Sequence, residues 1–285
     1  MGKAVCLIRK IVQLVALGYG NWVIYRTLRY ARSFLVPREV ASPSTEKISR
    51  EQAQYFIQEL NGVFQVSNSR ALCLHLYYTD VLPEILASPL FVQEKCDLYI
   101  SVGPEIDGLF FKKLKSFKGR VKVYQFANKG RDIFPFLKIY PELLDANYEW
   151  VCKLHSKRSP QIRDGELWRQ DLFADLLSLD CRQRLDVGRS DAIIAPKFSL
   201  LPVRLFLGAN GPMMLKLLEA MRFLRKDCDF LFVSGSMFWF RPASLKKLLK
   251  LENLEDYFHE RYQIDGNTEH AFERLFYFLA TESSV

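Results

Sequence analysis

The chain has 285 residues, 49% of them hydrophobic and 25% charged, which excludes a disordered protein and suits one large domain with an extension. Its net charge of +8 is concentrated in residues 1–40, where Lys3, Arg9, Lys10, Arg26, Arg29, Arg32 and Arg38 face the lone acid Glu39. A nearly neutral remainder argues against nucleic acid as a partner and directs the basic, apolar N-terminus to an anionic membrane surface.

Taken in chain order, the residues from Ile11 to Tyr25 are uncharged but fall short of the roughly 20 apolar residues that cross a bilayer. With Trp22, Tyr19, Tyr25 and Tyr30 and flanking bases, residues 1–40 read as a helical segment lying on the membrane; a helical arm packed on the body is the alternative. No small-residue cleavage site follows, so a signal peptide is not expected. Residues 41–69 read as a linker and a packing helix, starting near Ser49 with a capping-box spacing to Gln52 and an apolar face of Phe56, Leu60 and Val63.

From residue 70 to 285, short apolar runs alternate with amphipathic ones, the pattern of an α/β sheet flanked by helices. Strands are expected at 70–78, 97–102, 121–126, 148–154 and 192–195, and at 230–240 with an interruption at Ser234, Gly235 and Ser236. Helices are expected near 80–90, 109–117, 132–140, 167–177, 212–225, from Pro242, and over 269–279. Six cysteines without a C-x-x-C pair predict buried, reduced thiols and a reducing compartment such as the cytosol, and four separated histidines give no zinc pattern.

The chemistry-bearing residues fall at strand ends, where open α/β sheets gather their ligands. Lys153, His155 and Lys157 alternate along one strand, so they share a face and form a cationic comb suited to a diphosphate; a solvated strand edge is the alternative. Asn128 and Gly130 fit a turn whose backbone approaches a ligand closely, with Arg131 and Asp132 fixing the loop or contacting ribose and phosphate; an ordinary helix cap by Asn128 remains open. Ser234, Gly235 and Ser236 mark a bulge or a close approach by substrate, and Trp239 is either core or a ring on which a sugar stacks. Asp265, Glu269 and His270 are the groups best placed for general-base work, although acids also gather at helix N-termini because the macrodipole favours them. No metal or cofactor site is expected.

Five segments together carry a resemblance: His75-Leu76-Tyr77-Tyr78, Asn128 through Ile133, Lys153 through Lys157, Ser234 through Pro242, and Asp265 through Leu275. In this order they resemble the rhamnan synthesis protein F family over about residues 70–280. The resemblance implies a glycosyltransferase of bacterial surface polysaccharide or lipopolysaccharide synthesis. Its expected donor is a nucleotide sugar such as dTDP-L-rhamnose, and its acceptor a growing or lipid-linked glycan. It also implies a glycosyltransferase A-like, Rossmann-like sheet; a place on the inner face of the cell membrane is expected from the composition of residues 1–40 alone. In that fold the fourth strand commonly ends in metal-binding acids, and here Lys153 to Lys157 fill the slot, which implies metal-independent, inverting transfer with Asp265 or Glu269 as base. The competing expectation is a catalytically silent scaffold subunit of a polysaccharide-assembly complex.

Overall fold

The computed structural model describes residues 9, 11–16, 56–60, 69–94, 96–104, 110, 114, 117, 120–156, 165–188, 190–224, 227–258 and 266–282. The chain divides into two compact units, residues 1–49 with 157–172 and residues 50–156 with 173–285. In the first, residues 11–16 are helical with Val12 and Val15 outward, and Arg169 pairs with Glu166 at 3.4 Å. Most of the expected membrane segment and the linker lie outside the described residues. No helix among the described residues is long and apolar enough to cross a membrane.

The second unit carries the sheet. Its strands are β1 (Phe56–Leu60), β2 (Arg70–Leu76), β3 (Asp97–Val102), β4 (Val121–Gln125), β5 (Trp150–His155), β6 (Ile193–Ile194), β7 (Leu200–Pro202), β8 (Leu231–Val233) and β9 (Phe238–Phe240). Seven of them form one mixed sheet in the order β1-β4-β3-β2-β5-β9-β6, and β7 pairs with β8 in a small second sheet. The four central strands β4, β3, β2 and β5 run parallel, while β1, β9 and β6 are added antiparallel. β2, β3 and β5 are almost entirely buried, which is why they read as near-continuous apolar runs and were found within two residues of their expected bounds. The chain builds outward from β2 through β3 to β4, then returns to place β5 on the other side of β2. The carboxyl ends of β2 and β5 therefore flank a topological switch point, the crevice that ligands of such sheets occupy.

The described helices include α1 (Leu82–Leu86), α2 (Pro89–Gln93), α3 (Ile133–Asp145), α4 (Gly165–Leu176), α5 (Leu179–Val187), α6 (Val203–Phe206), α7 (Gly211–Ala220) and α8 (Thr268–Glu282). α3 buries Ile133, Phe134, Phe136, Leu137, Tyr140 and Leu143 in a core shared with α8 and the β9 residues Phe238 and Phe240. Asn147, at φ 55, turns the chain out of α3 in the left-handed conformation that asparagine tolerates.

Three expected elements are corrected. The helix expected from Ser49 gives way over Phe56–Leu60 to β1, which pairs residue by residue with β4. A capping box is worth about 1 kcal/mol, whereas an edge strand satisfies backbone groups along its whole ladder. The single strand expected over 230–240 is two strands in different sheets, because Gly235 (φ 95) and Ser236 (φ 56) reverse the chain between them. The segment from Pro242 is helical as expected but forms a 3-10 helix, Pro242–Lys250. The helix expected at 109–117 lies largely outside the described residues, where Phe110 and Leu114 are helical.

Candidate active site at the carboxyl edge of the sheet

In register, His75 at the end of β2 aligns with Ser101 of β3 on one side and with His155 of β5 on the other. Two residues earlier Cys73 aligns with Tyr99 and Lys153, so the strand period places Lys153 and His155 on the same face as His75. That face looks toward α3, whose N-cap is Asp132, and toward the 234–236 turn.

Lys153 is 1% exposed, and its ammonium is caged. It donates to Asp132 Oδ2 at 2.5 Å, and to both the backbone oxygen and Oγ of Ser236 at 3.0 Å. Those three acceptors match its three hydrogens, while the rings of Phe136 and Phe276 lie 5.4 and 5.7 Å from the nitrogen. His155 donates from Nε2 to the Gly235 carbonyl at 2.9 Å, since that oxygen only accepts, and the same nitrogen is 3.9 Å from Asp132 Oδ2. Lys153 and His155 thus share a face as expected, but that face holds a carboxylate and a loop. The comb's third member, Lys157, lies outside the described residues.

Burial works against ionisation of Asp132, but the charges of His155 and Lys153 and the Lys153 hydrogen bond outweigh it and hold the carboxyl below the usual carboxylate range. His75 bonds Ser101 Oγ through Nδ1 at 3.0 Å, and burial lowers its pKa to about 4, so it is neutral at physiological pH. Burial pushes the neighbouring Cys73 thiol up to about 12, which removes it as a nucleophile. The end of β5 is stitched to the turn after β2: Ser156 N donates to His75 O at 2.9 Å, and Tyr78 N donates to Ser156 Oγ at 2.8 Å.

The last motif arrives on α8. Arg131 donates from a guanidinium nitrogen to His270 Nε2 at 3.0 Å, and because guanidinium has no acceptor, that ring nitrogen carries its lone pair and His270 is neutral in this contact. Glu269, half-buried beside them, has its pKa raised, first by burial and further by Asp132, with its own backbone N–H and Arg131 opposing. One turn on, Glu273 accepts from Gly235 N at 2.6 Å. Asp265 lies outside the described residues.

Other expected residues take different places. Gly130, at φ 62, does approach something closely, but the neighbours are aromatic: an added Cβ would fall 2.5 Å from Phe134 Cβ and 2.6 Å from the Phe258 ring. Asn128 is exposed, and the N-cap of α3 is Asp132. Ser234 N bonds Ser199 O at 2.8 Å, beside the small sheet. Trp239 is 0% exposed and donates its indole N–H to Leu176 O at 2.9 Å, so its ring is core and unavailable to a sugar. Ser101 and Glu273 are not expected from the sequence as site residues, and His75 enters the site beyond its place in the first motif. Glu273 was signalled by its position four residues after Glu269, on the same helix face. Two depressions of about 250 and 480 Å³ lie elsewhere, around Arg184 and Val187. Among the described residues no group of three or more His, Cys, Asp or Glu side chains is placed to hold a metal ion.

All five motifs therefore bear on one edge of the sheet, and residues 30–285 match the model of the family described as rhamnan synthesis protein F. This chain belongs to the rhamnan synthesis protein F family. The match begins at residue 30, well before the first of the five motifs at His75, and takes in part of the expected N-terminal extension. This family member is 35% identical over 227 residues to the uncharacterized protein WxcX of Xanthomonas campestris pv. campestris strain B100, and 34% identical to the protein of the same name from a second strain. The aligned region covers 76% of this chain and 32% of WxcX, so the chain spans about a third of the length of these relatives. No solved structure matches it. The family's description places its members in rhamnan, and hence polysaccharide, synthesis.

Proposed function

We propose that this chain is a glycosyltransferase domain of the glycosyltransferase A type that takes a sugar, rhamnose on the family reading, from a nucleotide diphosphate donor to a surface glycan. The observation that carries this is the meeting of Arg131, Asp132, His155, Glu269 and His270 at the switch-point edge, braced by Lys153. The donor lies at that edge, with Asn128 and Arg131 toward the diphosphate. The acceptor oxygen attacks the anomeric carbon as the bond to the diphosphate oxygen breaks, and that electron pair leaves with the diphosphate. Glu269 takes the acceptor proton, since a carboxylate with a raised pKa is a stronger base. Asp265 shares this candidacy. Displacement from the opposite face inverts the anomeric centre. Arg131, with Lys157 just beyond β5, neutralises the leaving group in place of a divalent metal, since the strand end where related sheets carry acids holds bases here and Lys153 and His155 are spent on bracing the edge. The protein works at the inner membrane surface, held by its basic N-terminal segment.

Transfer from dTDP-L-rhamnose, assayed with the full chain in excess chelator, should proceed, and Glu269→Gln should lower turnover about 10²–10⁴-fold with donor-induced thermal stabilisation retained. Transfer restored only by manganese would end the metal-independent reading, and a near-normal rate for Glu269→Gln would move the base to Asp265. Donor stabilisation with neither transfer nor hydrolysis would favour the second reading, a binding subunit. That reading draws on the full internal occupation of the Lys153 ammonium.

A further inference from the structure

The 3-10 helix Pro242–Lys250 has three residues per turn, so side chains three apart line up in columns. Leu245 and Leu248 are buried and form the inward column. Lys246 and Leu249, which is 51% exposed, form an outward column, and the third column starts at the buried Ser244 and rises through the half-buried Lys247 to the exposed Lys250. Beside them the chain leaves α7 through Arg222 (φ 61), Phe223 and Leu224. Lys247 lies over the Phe223 ring, 4.7 Å from its centroid, which joins the two segments, and Leu224 is 97% exposed. Among the described residues no carboxylate comes within ion-pairing distance of Arg222, Lys246, Lys247 or Lys250, although the acids Glu219 and Glu252 are nearby in sequence. The surroundings partly desolvate Lys250, and Lys247 and Arg222 add like charge, so its pKa is lowered.

Arg222, Lys247 and Lys250, crowded together without acid partners beside the exposed Leu224, and Lys246 with Leu249 on the adjoining column, form an anion-seeking surface with apolar anchors. Long basic side chains reach outward past such leucines, as they do at a membrane interface. We propose that Arg222, Lys246, Lys247 and Lys250, with Leu224 and Leu249, form a docking surface for an anionic lipid bilayer, built from other residues than the basic N-terminal segment and the candidate active site. Lipid phosphates supply the missing counter-charge and the acyl boundary takes the leucines. An acidic glycan offers charge but no apolar phase for Leu224, which is why the bilayer is the occupant.

The test is co-sedimentation of the full chain with vesicles of phosphatidylcholine alone or with 30% phosphatidylglycerol. A base near an anionic surface contributes about fivefold in binding, so Arg222→Gln, Lys246→Gln and Lys250→Gln together should weaken partitioning into anionic vesicles on the order of 100-fold. Leu224→Ser alone should weaken it several-fold and persist at high salt. These side chains are exposed, and unchanged circular dichroism together with unchanged donor-induced thermal stabilisation would show that fold and donor site are intact. Partitioning within twofold of wild type for both variants overturns the proposal, as does retention on an acidic polysaccharide with none on anionic vesicles. Vesicle binding is read without transfer, so its failure is distinguishable from failure of the glycosyltransferase reading.

Discussion

Replacing Asp132 by Asn removes the only carboxylate among the described residues that is bonded to the Lys153 ammonium, and changes little in shape. The side chains of this pair are 2% and 14% exposed, so the charge left behind has little access to water. Breaking a buried pair from one side costs about 3–5 kcal/mol, because the two Ser236 acceptors solvate the ammonium without balancing its charge. At this chain length 1 kcal/mol moves the melting temperature by roughly 2–4 °C, so Asp132→Asn should lower it by roughly 10 °C. Lys153→Met should cost a similar amount, by leaving Asp132 to His155 alone and depriving Ser236 of its donor. The double variant removes both charges, so it should be less destabilised than the sum of the singles by about 2–3 kcal/mol, the coupling expected of a contacting pair. Urea unfolding monitored by circular dichroism measures all three. Additive losses, or a loss below about 1 kcal/mol for Asp132→Asn, would refute a buried structural pair. A stable Lys153→Met that had lost donor binding would return the ammonium to the ligand.

Two further outcomes follow from single positions. Gly130→Ala combines a left-handed backbone, costing about 1–2 kcal/mol, with an overlap against Phe134 and Phe258, costing about 1–3 kcal/mol. It should lower the melting temperature by several degrees, whereas Gly103→Ala, with open space around its Cβ, should stay within about 0.5 kcal/mol of wild type in the same thermal scan. The His75 pKa is depressed to about 4, so between that value and the unfolded value near 6.5 the unfolded state binds more protons. Stability from this group is complete above pH 6.5 and lost as pH falls toward 4, by about 3 kcal/mol in all. His75→Gln should flatten that slope in urea titrations at pH 4.5, 5.5 and 7, and an unchanged slope would assign it to another group.

The central strands were legible because burial on both faces leaves a run of apolar residues with little else it can be. β1 was not, because an edge strand takes its structure from the partner it meets, and Phe56 to Leu60 satisfies a helical spacing equally well. α5 was missed because Leu179–Val187 buries only Cys181 and Leu185, and its one local signal is the Ser178 cap on Cys181 N. The division of 230–240 between two sheets had a visible marker in Ser234-Gly235-Ser236, but a bulge and a reversal use the same residues. Trp239 shows a similar limit: its neighbours Phe238 and Phe240 mark it as core, and the bond from its indole to Leu176 O excludes the sugar-stacking alternative.

The site presents a different problem, since strand alternation says which side chains share a face but not what that face meets. The partners of Lys153 are Asp132, 21 residues upstream, and Ser236, 83 residues downstream, contacts that spacing within one strand does not encode. Their structural role lies in the backbone they hold. Arg131 and Ser236 are non-glycine residues at positive φ, a conformation costing of order 1–3 kcal/mol that persists only when neighbours over-determine it. Around the second turn that condition is met: Gly235 N is bound by Glu273, Gly235 O by His155, and the backbone oxygen and hydroxyl of Ser236 by Lys153. The Asp132 end of the same cage fixes the turn that carries Arg131 toward His270 and Glu269. On the glycosyltransferase reading Lys153 and His155 therefore act at one remove, spending their hydrogen bonds on the geometry of the groups at the edge. Preorganisation of this kind is what an electrostatic site requires, because a dipole or charge already held in place costs no reorganisation when the leaving group departs.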